Sequence, residues 1–114
     1  MVTPSVGAVI LVPFPFSDLS QAKLRPALIL AYVGKNDWIL CQITSNPYGD
    51  SKTITLTDNC FAHGSLQLTS YARPGKLFTS NSSLIVRQVG CLRKDVLKNT
   101  LLAVIDIFQS EIET

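Results

Sequence analysis

Lys23-Leu24-Arg25-Pro26-Ala27-Leu28-Ile29-Leu30-Ala31-Tyr32-Val33-Gly34-Lys35-Asn36-Asp37-Trp38-Ile39-Leu40-Cys41-Gln42-Ile43-Thr44-Ser45 reads as a β-hairpin. Two runs rich in aliphatic and aromatic residues flank the polar turn Gly34-Lys35-Asn36-Asp37. With those four residues as the loop, Val33 faces Trp38 and Ala27 lies opposite Thr44. Arg25 is then a diagonal neighbour of Thr44 on the same face, because positions two apart on a strand point the same way. An arginine fork donates two parallel hydrogen bonds and keeps its charge at any working pH, which suits it to gripping a phosphate. The pair taken alone is better read as a surface arginine ahead of a strand and an ordinary edge threonine.

Outward from the hairpin, the chain is short, at 114 residues, and 46% hydrophobic against 16% charged. That predicts a single domain spanning the whole chain, with enough apolar surface to fold without staples and to favour self-association. No basic segment followed by an apolar core opens the sequence, and no apolar run approaches the roughly 20 residues that span a bilayer. A cytoplasmic protein without membrane contact is expected. Cys41, Cys60 and Cys91 are odd in number and widely spaced, which points to neither a disulfide framework nor a zinc site. Net charge is +2, but residues 1–105 carry +5 and the balance of acid, Asp106, Glu111 and Glu113, lies at the C-terminus. A moderately basic body suits a polyanion or an acidic partner segment.

Before the hairpin, Val9-Ile10-Leu11-Val12 is an all-apolar run that predicts a strand buried on both sides, ending at Pro13-Phe14-Pro15-Phe16. The polar segment 17–24 follows, placed to cover the hairpin mouth or simply to connect. After the hairpin, Lys52-Thr53-Ile54-Thr55-Leu56-Thr57 alternates as a half-buried strand should, and residues 60–70 read as a loop with a short strand in which His63 is a loop residue. Tyr71-Ala72-Arg73-Pro74-Gly75-Lys76 reads as a basic turn ahead of strands at 76–79 and 84–89. Arg73 and Lys76 are candidates for phosphate contacts, and Tyr71 either stacks on a base or packs inward. From Arg93 the apolar period changes to 3.6, with Leu97, Leu101, Val104, Ile105, Phe108 and Ile112 on one stripe, so the chain closes on a helix without a Ser or Thr cap.

Five or six short strands and a single terminal helix, with no strand-helix-strand alternation, predict a mainly β fold, a small, strongly bent antiparallel β-barrel with a C-terminal α-helix. The phosphate-loop, dinucleotide, zinc-protease and esterase signatures are all absent. One histidine cannot form a two-histidine acid-base pair, and the aspartates are scattered. A site of Arg, hydroxyls and loop groups remains, with no metal and no cofactor. It can cleave RNA by using the substrate's own 2′-hydroxyl as nucleophile, if it holds the phosphate in line and stabilises the transition-state charge.

The segments Gly7-Ala8-Val9-Ile10-Leu11-Val12-Pro13-Phe14-Pro15-Phe16-Ser17-Asp18, Lys23-Leu24-Arg25-Pro26-Ala27-Leu28-Ile29-Leu30, Leu40-Cys41-Gln42-Ile43-Thr44-Ser45 and Tyr71-Ala72-Arg73-Pro74-Gly75-Lys76-Leu77-Phe78 closely resemble the MazF/PemK-like toxins of bacterial toxin-antitoxin systems. The resemblance implies an SH3-like barrel, a homodimer, and metal-independent, sequence-specific cleavage of single-stranded messenger RNA. It also implies a cognate antitoxin whose disordered, often acidic tail occupies the RNA groove. The family's catalytic arginine and hydroxyl map onto Arg25 and Thr44, with Ser45 able to take the hydroxyl's place. Its RNA-contacting loop points to Ser17, Ser20 and Gln21, with Lys23 beside them as a further substrate contact. Where many members carry an acid after the first-strand glycine, this chain has Ala8. Two other readings of the same barrel are a non-catalytic toxin that binds a protein target such as DNA gyrase, and an inactive RNA- or antitoxin-binding module.

Overall fold

The computed structural model describes residues 3–14, 23–47 and 49–114. Seven strands form one antiparallel sheet: β1 (Ala8–Phe14), β2 (Lys23–Gly34), β3 (Asp37–Thr44), β4 (Ile54–Leu56), β5 (Phe61–Gly64), β6 (Ser70–Asn81) and β7 (Arg87–Leu92), in spatial order β4-β6-β3-β2-β1-β7-β5. Helix α1 (Lys94–Ile112) completes the chain, and short 3-10 turns span Asp58–Cys60 and Ser82–Leu84. The sheet curls into a nearly closed barrel, the mainly β architecture with a terminal helix that the sequence predicts.

The hairpin β2–β3 is there, closed by Lys35 and Asn36 at φ 54° and 64°. Two successive left-handed residues make the tight turn whose twist matches the flanking strands. Tyr32 stacks against Trp38 with ring centroids 4.7 Å apart, and its hydroxyl accepts from the Asn36 backbone N–H at 3.0 Å. The register differs from the expected one. Gly34 faces Asp37, but irregularities between Ile29 and Ala31 and between Tyr32 and Gly34 shift the pairing, so Ala27 lies opposite Gln42 rather than Thr44. Between the two irregularities the pairing is one residue out, with Tyr32 opposite Trp38, and beyond the second it is two residues out, so only there do the two strands keep the facing that the simpler register assigns. The pairing stops at Ala27 and Gln42, two residues short of Arg25 and Thr44, which pair instead with Val12 of β1 and Tyr71 of β6.

Three other expectations change. The basic segment around Arg73 is no turn between strands but a bulge within β6: Cys41 pairs with Leu77 and Ile43 with Ala72, so residues 73–76 project from the ladder. Pro74 is fully buried there, where a residue without an N–H costs no ladder bond. His63 belongs to β5, opposite Cys91, and is not in a loop. The segment 84–89 begins in a 3-10 turn, and its strand starts only at Arg87. Near the N-terminus, Pro13 and Phe14 still pair with Leu24 and Lys23, whereas the pairing of β1 with β7 stops at Leu11. Pro13 thus sits where β1 has become an edge, the position a sheet allows proline.

Strand alternation divides the apolar residues into two clusters. Val9, Leu28, Leu30, Cys41, Ile43, Leu56, Ala72 and Leu92 form one, and Val96, Leu97, Leu101 and Val104 of α1 pack on it. Ala8, Ile10, Val12, Ala27, Ile29, Leu40 and Ile85 form the other, flanked by Trp38 and Phe78. The helix starts at Lys94, and its N-cap residue Arg93 makes no side-chain cap hydrogen bond, as the sequence suggests. Thr100, fully buried on the helix's packed side, satisfies its hydroxyl by donating to Val96 O at 3.0 Å. The predicted stripe is only half used, since Ile105, Phe108 and Ile112 stay exposed. No helix among the described residues is long and apolar enough to cross a membrane.

Candidate functional site

Arg25, Ala27 and Ile29 share one face of β2, and Leu40, Gln42 and Thr44 share the facing side of β3, because alternate residues point the same way. Ala27, Ile29 and Leu40 belong to the second core cluster. Arg25, Gln42 and Thr44 therefore continue that face beyond the point where the core gives out. The β2–β3 pairing also ends there, at Ala27 and Gln42, one residue before Pro26, which has no N–H to offer the ladder. The two strands part at the proline, and a cleft of about 570 Å³ opens between them.

Three elements line it. β2 brings Arg25 and Pro26, the end of β3 brings Gln42, Thr44 and Ser45, and the β6 bulge brings Arg73 and Lys76. Ile43, Leu66, Leu68 and Ser70 complete the lining, so apolar and basic groups share the cleft. Arg25 and Lys76 are exposed, while Arg73 is partly covered. Arg73 is oriented by Asp50: its Nε donates to Asp50 Oδ2 at 3.2 Å, leaving the terminal nitrogens of the fork for another acceptor. The Asp50 carboxyl is held below its ordinary value of 3.8, chiefly because it accepts the Lys52 backbone N–H, and further by the Arg73 guanidinium. The Thr44 hydroxyl closes a turn at the strand end. It donates to Asn46 O at 3.1 Å and accepts the Asn46 N–H at 3.2 Å, so donation to a ligand requires it to rotate away from Asn46 O.

The structure thus brings together Arg25, Thr44, Ser45, Arg73 and Lys76 from distant parts of the sequence. Lys23 lies at the start of β2, exposed, and does not line the cleft. Ser17, Ser20 and Gln21 lie outside the described residues. Tyr71 pairs with Thr44 and Thr55 in the sheet and does not line the cleft, as His63 does not. Gln42, Leu66, Leu68 and Ser70 were not foreseen at the cleft. Gln42 carried a signal, as the only uncharged polar residue in the run from Trp38 to Ile43. The other three carried none, since they meet the cleft only through the curl of the sheet. Among the described residues no three His, Cys, Asp or Glu side chains converge in a way that could hold a metal ion.

A positively charged cleft lined also by apolar groups and a hydroxyl can seat a phosphate and the flat face of a base together. The same charge suits an acidic peptide equally. Among solved structures, the chain is similar to MazF from Deinococcus radiodurans, at 21% identity over 96% of this chain and 99% of that one with a TM-score of 0.73. It is also similar to a mycobacterial endoribonuclease in complex with its cognate antitoxin, at 14% identity over 96% of each chain and a TM-score of 0.71. Mycobacterium tuberculosis toxin MazF-mt6 aligns at 18% identity over 90% of this chain and 96% of that one, with a TM-score of 0.69. No curated protein sequence matches the chain. At these identities the solved structures establish the shared barrel. Residues 5–108 match the sequence family itself, and the chain belongs to the PemK-like, MazF-like toxins of type II toxin-antitoxin systems.

Proposed function

We propose that the chain is an endoribonuclease that cuts single-stranded messenger RNA in the cytoplasm, at short sequences, with neither metal nor cofactor. Its cleft holds the scissile phosphate between Arg25 and Thr44. The observation that carries this reading is the convergence of Arg25, Thr44, Arg73 and Lys76 on one cleft in a chain of this toxin family. The substrate's 2′-oxygen attacks the adjacent phosphorus as its proton passes to a base. The bond from phosphorus to the 5′-oxygen breaks, the 5′-oxygen takes up a proton, and a cyclic phosphate remains. Arg25 stabilises the charge that gathers on the phosphoryl oxygens, and Thr44 donates a hydrogen bond to one of them. Arginine scarcely loses its proton, so Arg25 serves as an electrostatic group rather than the base. Arg73 and Lys76 hold flanking phosphates, and Ser45 lies at the same cleft beside Thr44.

The antitoxin's acidic tail would compete for the same three cations, which accounts for inhibition without a second site. One of the structural relatives is described as bound to its cognate antitoxin, in keeping with such a partner. A homodimer is part of the proposal and would cover apolar surface that the monomer leaves exposed.

The test is incubation of the purified protein with mixed-sequence RNA in excess chelator, beside Arg25→Ala and Thr44→Ala. Removing a charge-stabilising donor is expected to slow cleavage by about 100-fold or more for Arg25→Ala. Cleavage that requires a metal, or that survives both substitutions, overturns the mechanism. Intact RNA in every lane favours a barrel that only binds.

A further inference from the structure

A second hollow of about 450 Å³ adjoins the cleft, lined by Leu11 of β1, by Arg87, Gln88 and Val89 of β7, and by residues 65–67 between β5 and β6. Leu66 lines both. Strand pairing explains why they adjoin. Leu11 stands opposite Pro26 of β2 on one side and Arg87 on the other, so the three form one row across three strands and point to one face. Val9 and Leu28 on that face belong to the first core cluster, and Leu66 packs against the same cluster. Two strand spacings, about 10 Å, separate Pro26 from Arg87. The segment that carries Leu66 is pinned: Ser65 Oγ donates to Asp58 Oδ1 at 2.7 Å and accepts the Gln67 N–H at 2.8 Å, with Gln67 at φ 67°. Arg73 and Arg93 each hold an aspartate, Asp50 and Asp95, whereas Arg87 has no carboxylate partner among the described residues. It is exposed, and no carboxylate lines its hollow. Its fork is open to an anionic oxygen, with the carboxamides of Gln67 and Gln88 as further donors at the same hollow.

We propose that RNA bound in the first cleft continues past Leu66 into this hollow, where Arg87 grips a phosphate beyond those held by Arg25, Arg73 and Lys76. The inference rests on the reading of the first cleft as an RNA site, and it gives the strand a direction there, across β2, β1 and β7. Phosphates recur at every nucleotide, so the contact needs no particular base and serves to position the strand.

The test is fluorescence-anisotropy titration of wild type, Arg87→Ala and Arg87→Lys with mixed-sequence 2′-fluoro RNA strands of four and eight nucleotides, which lack the nucleophilic hydroxyl. The three phosphates of the shorter strand match the three cations of the first cleft. Arg87→Ala is expected to bind the longer strand about tenfold more weakly than wild type does, the lower end for a hydrogen bond to a charged group. It also flattens the salt dependence of that binding by about 0.7 in log affinity against log salt. Its affinity for the shorter strand stays within about twofold of wild type, because at about 10 Å the charge is largely screened at physiological salt. Arg87→Lys keeps the salt dependence, since it keeps the charge. The melting temperature of both variants stays level, because the side chain removed is exposed. Equal weakening of both strands, no weakening of either, or no binding by wild type overturns the proposal. So does a loss in Arg87→Ala confined to a polyglutamate peptide, which would assign the hollow to a protein partner. Cleavage of ordinary RNA by wild type separates the two readings. Length-dependent weakening without cleavage removes the nuclease reading alone, and cleavage with unchanged binding in Arg87→Ala removes the Arg87 contact alone.

Discussion

At the scale of single residues, Asp50 and Cys41 show the local field acting in opposite directions. The Asp50 carboxyl is held below 3.8, first by the Lys52 backbone N–H and then by Arg73. A carboxyl whose value falls on folding stabilises the fold above its unfolded value, and that contribution disappears as pH drops through the folded one. The Asp50–Arg73 pair should therefore be intact at neutral pH and lost only below 3.8. Carboxyl-carbon NMR of wild type and Arg73→Ala tests the order of causes. Because the larger one is a backbone N–H that the substitution leaves in place, the Asp50 midpoint in Arg73→Ala should remain below 3.8. A full return to 3.8 would make Arg73 the dominant partner. Burial instead pushes the Cys41 thiol up to about 12, so it carries no thiolate at neutral pH. In a Cys60→Ser/Cys91→Ser background, Cys41 is expected to resist a disulfide reagent until denaturant unfolds the barrel. Prompt labelling of the folded protein would contradict that.

At the scale of elements, two glycines of similar backbone conformation separate conformation from packing. Gly34 at the hairpin end has φ 95° with nothing near its missing side chain. Gly64, at the end of β5, has φ 77°, and a Cβ there would run into Val89 O and the Gly90 Cα. Gly34→Ala should cost only the left-handed penalty, about 1 kcal/mol. Gly64→Ala must also push β5 off β7, for a total of about 2–4 kcal/mol, read from urea midpoints at constant slope. Equal costs would mean that the β5–β7 pairing yields freely. The hairpin and its turn were legible because alternation and Asn-type turn chemistry are local. Its register was not, since two irregularities each shift the pairing by one residue and restore the original facing only beyond the second. The β6 bulge reads as a turn in the sequence for a related reason. Pro74-Gly75 ends a ladder equally well in either structure, and only the tertiary pairing of Ala72 and Leu77 with one strand, β3, tells them apart. The helical stripe was read from spacing, but spacing cannot tell that Leu97 and Leu101 meet the barrel while Phe108 and Ile112 run past it.

At the scale of the whole molecule, the barrel's curl is what makes a site from residues that the sequence keeps apart. Arg25 and Thr44 could be paired from the hairpin alone, whereas the approach of Leu66 and Leu68 depends on how far the sheet closes. Charge follows the same division. Arg25, Arg73 and Lys76 gather at the cleft, while Asp106 and Glu111 sit on α1, which packs against the other core cluster. Each cation that meets a phosphate on single-stranded nucleic acid should contribute about −0.7 to the slope of log affinity against log salt, through counterion release. Three such contacts give a slope of about −2 for wild type with the four-nucleotide 2′-fluoro strand. Arg73→Ala and Lys76→Ala should each flatten it by about 0.7, while Lys98→Ala, on the helix, leaves it unchanged. The comparison separates a cleft-bound strand from diffuse attraction to a basic protein, because diffuse attraction would weaken by the same amount wherever the positive charge is removed. Equal slopes for the cleft and helix variants would therefore place the RNA outside this cleft, whatever the cleavage assay reports.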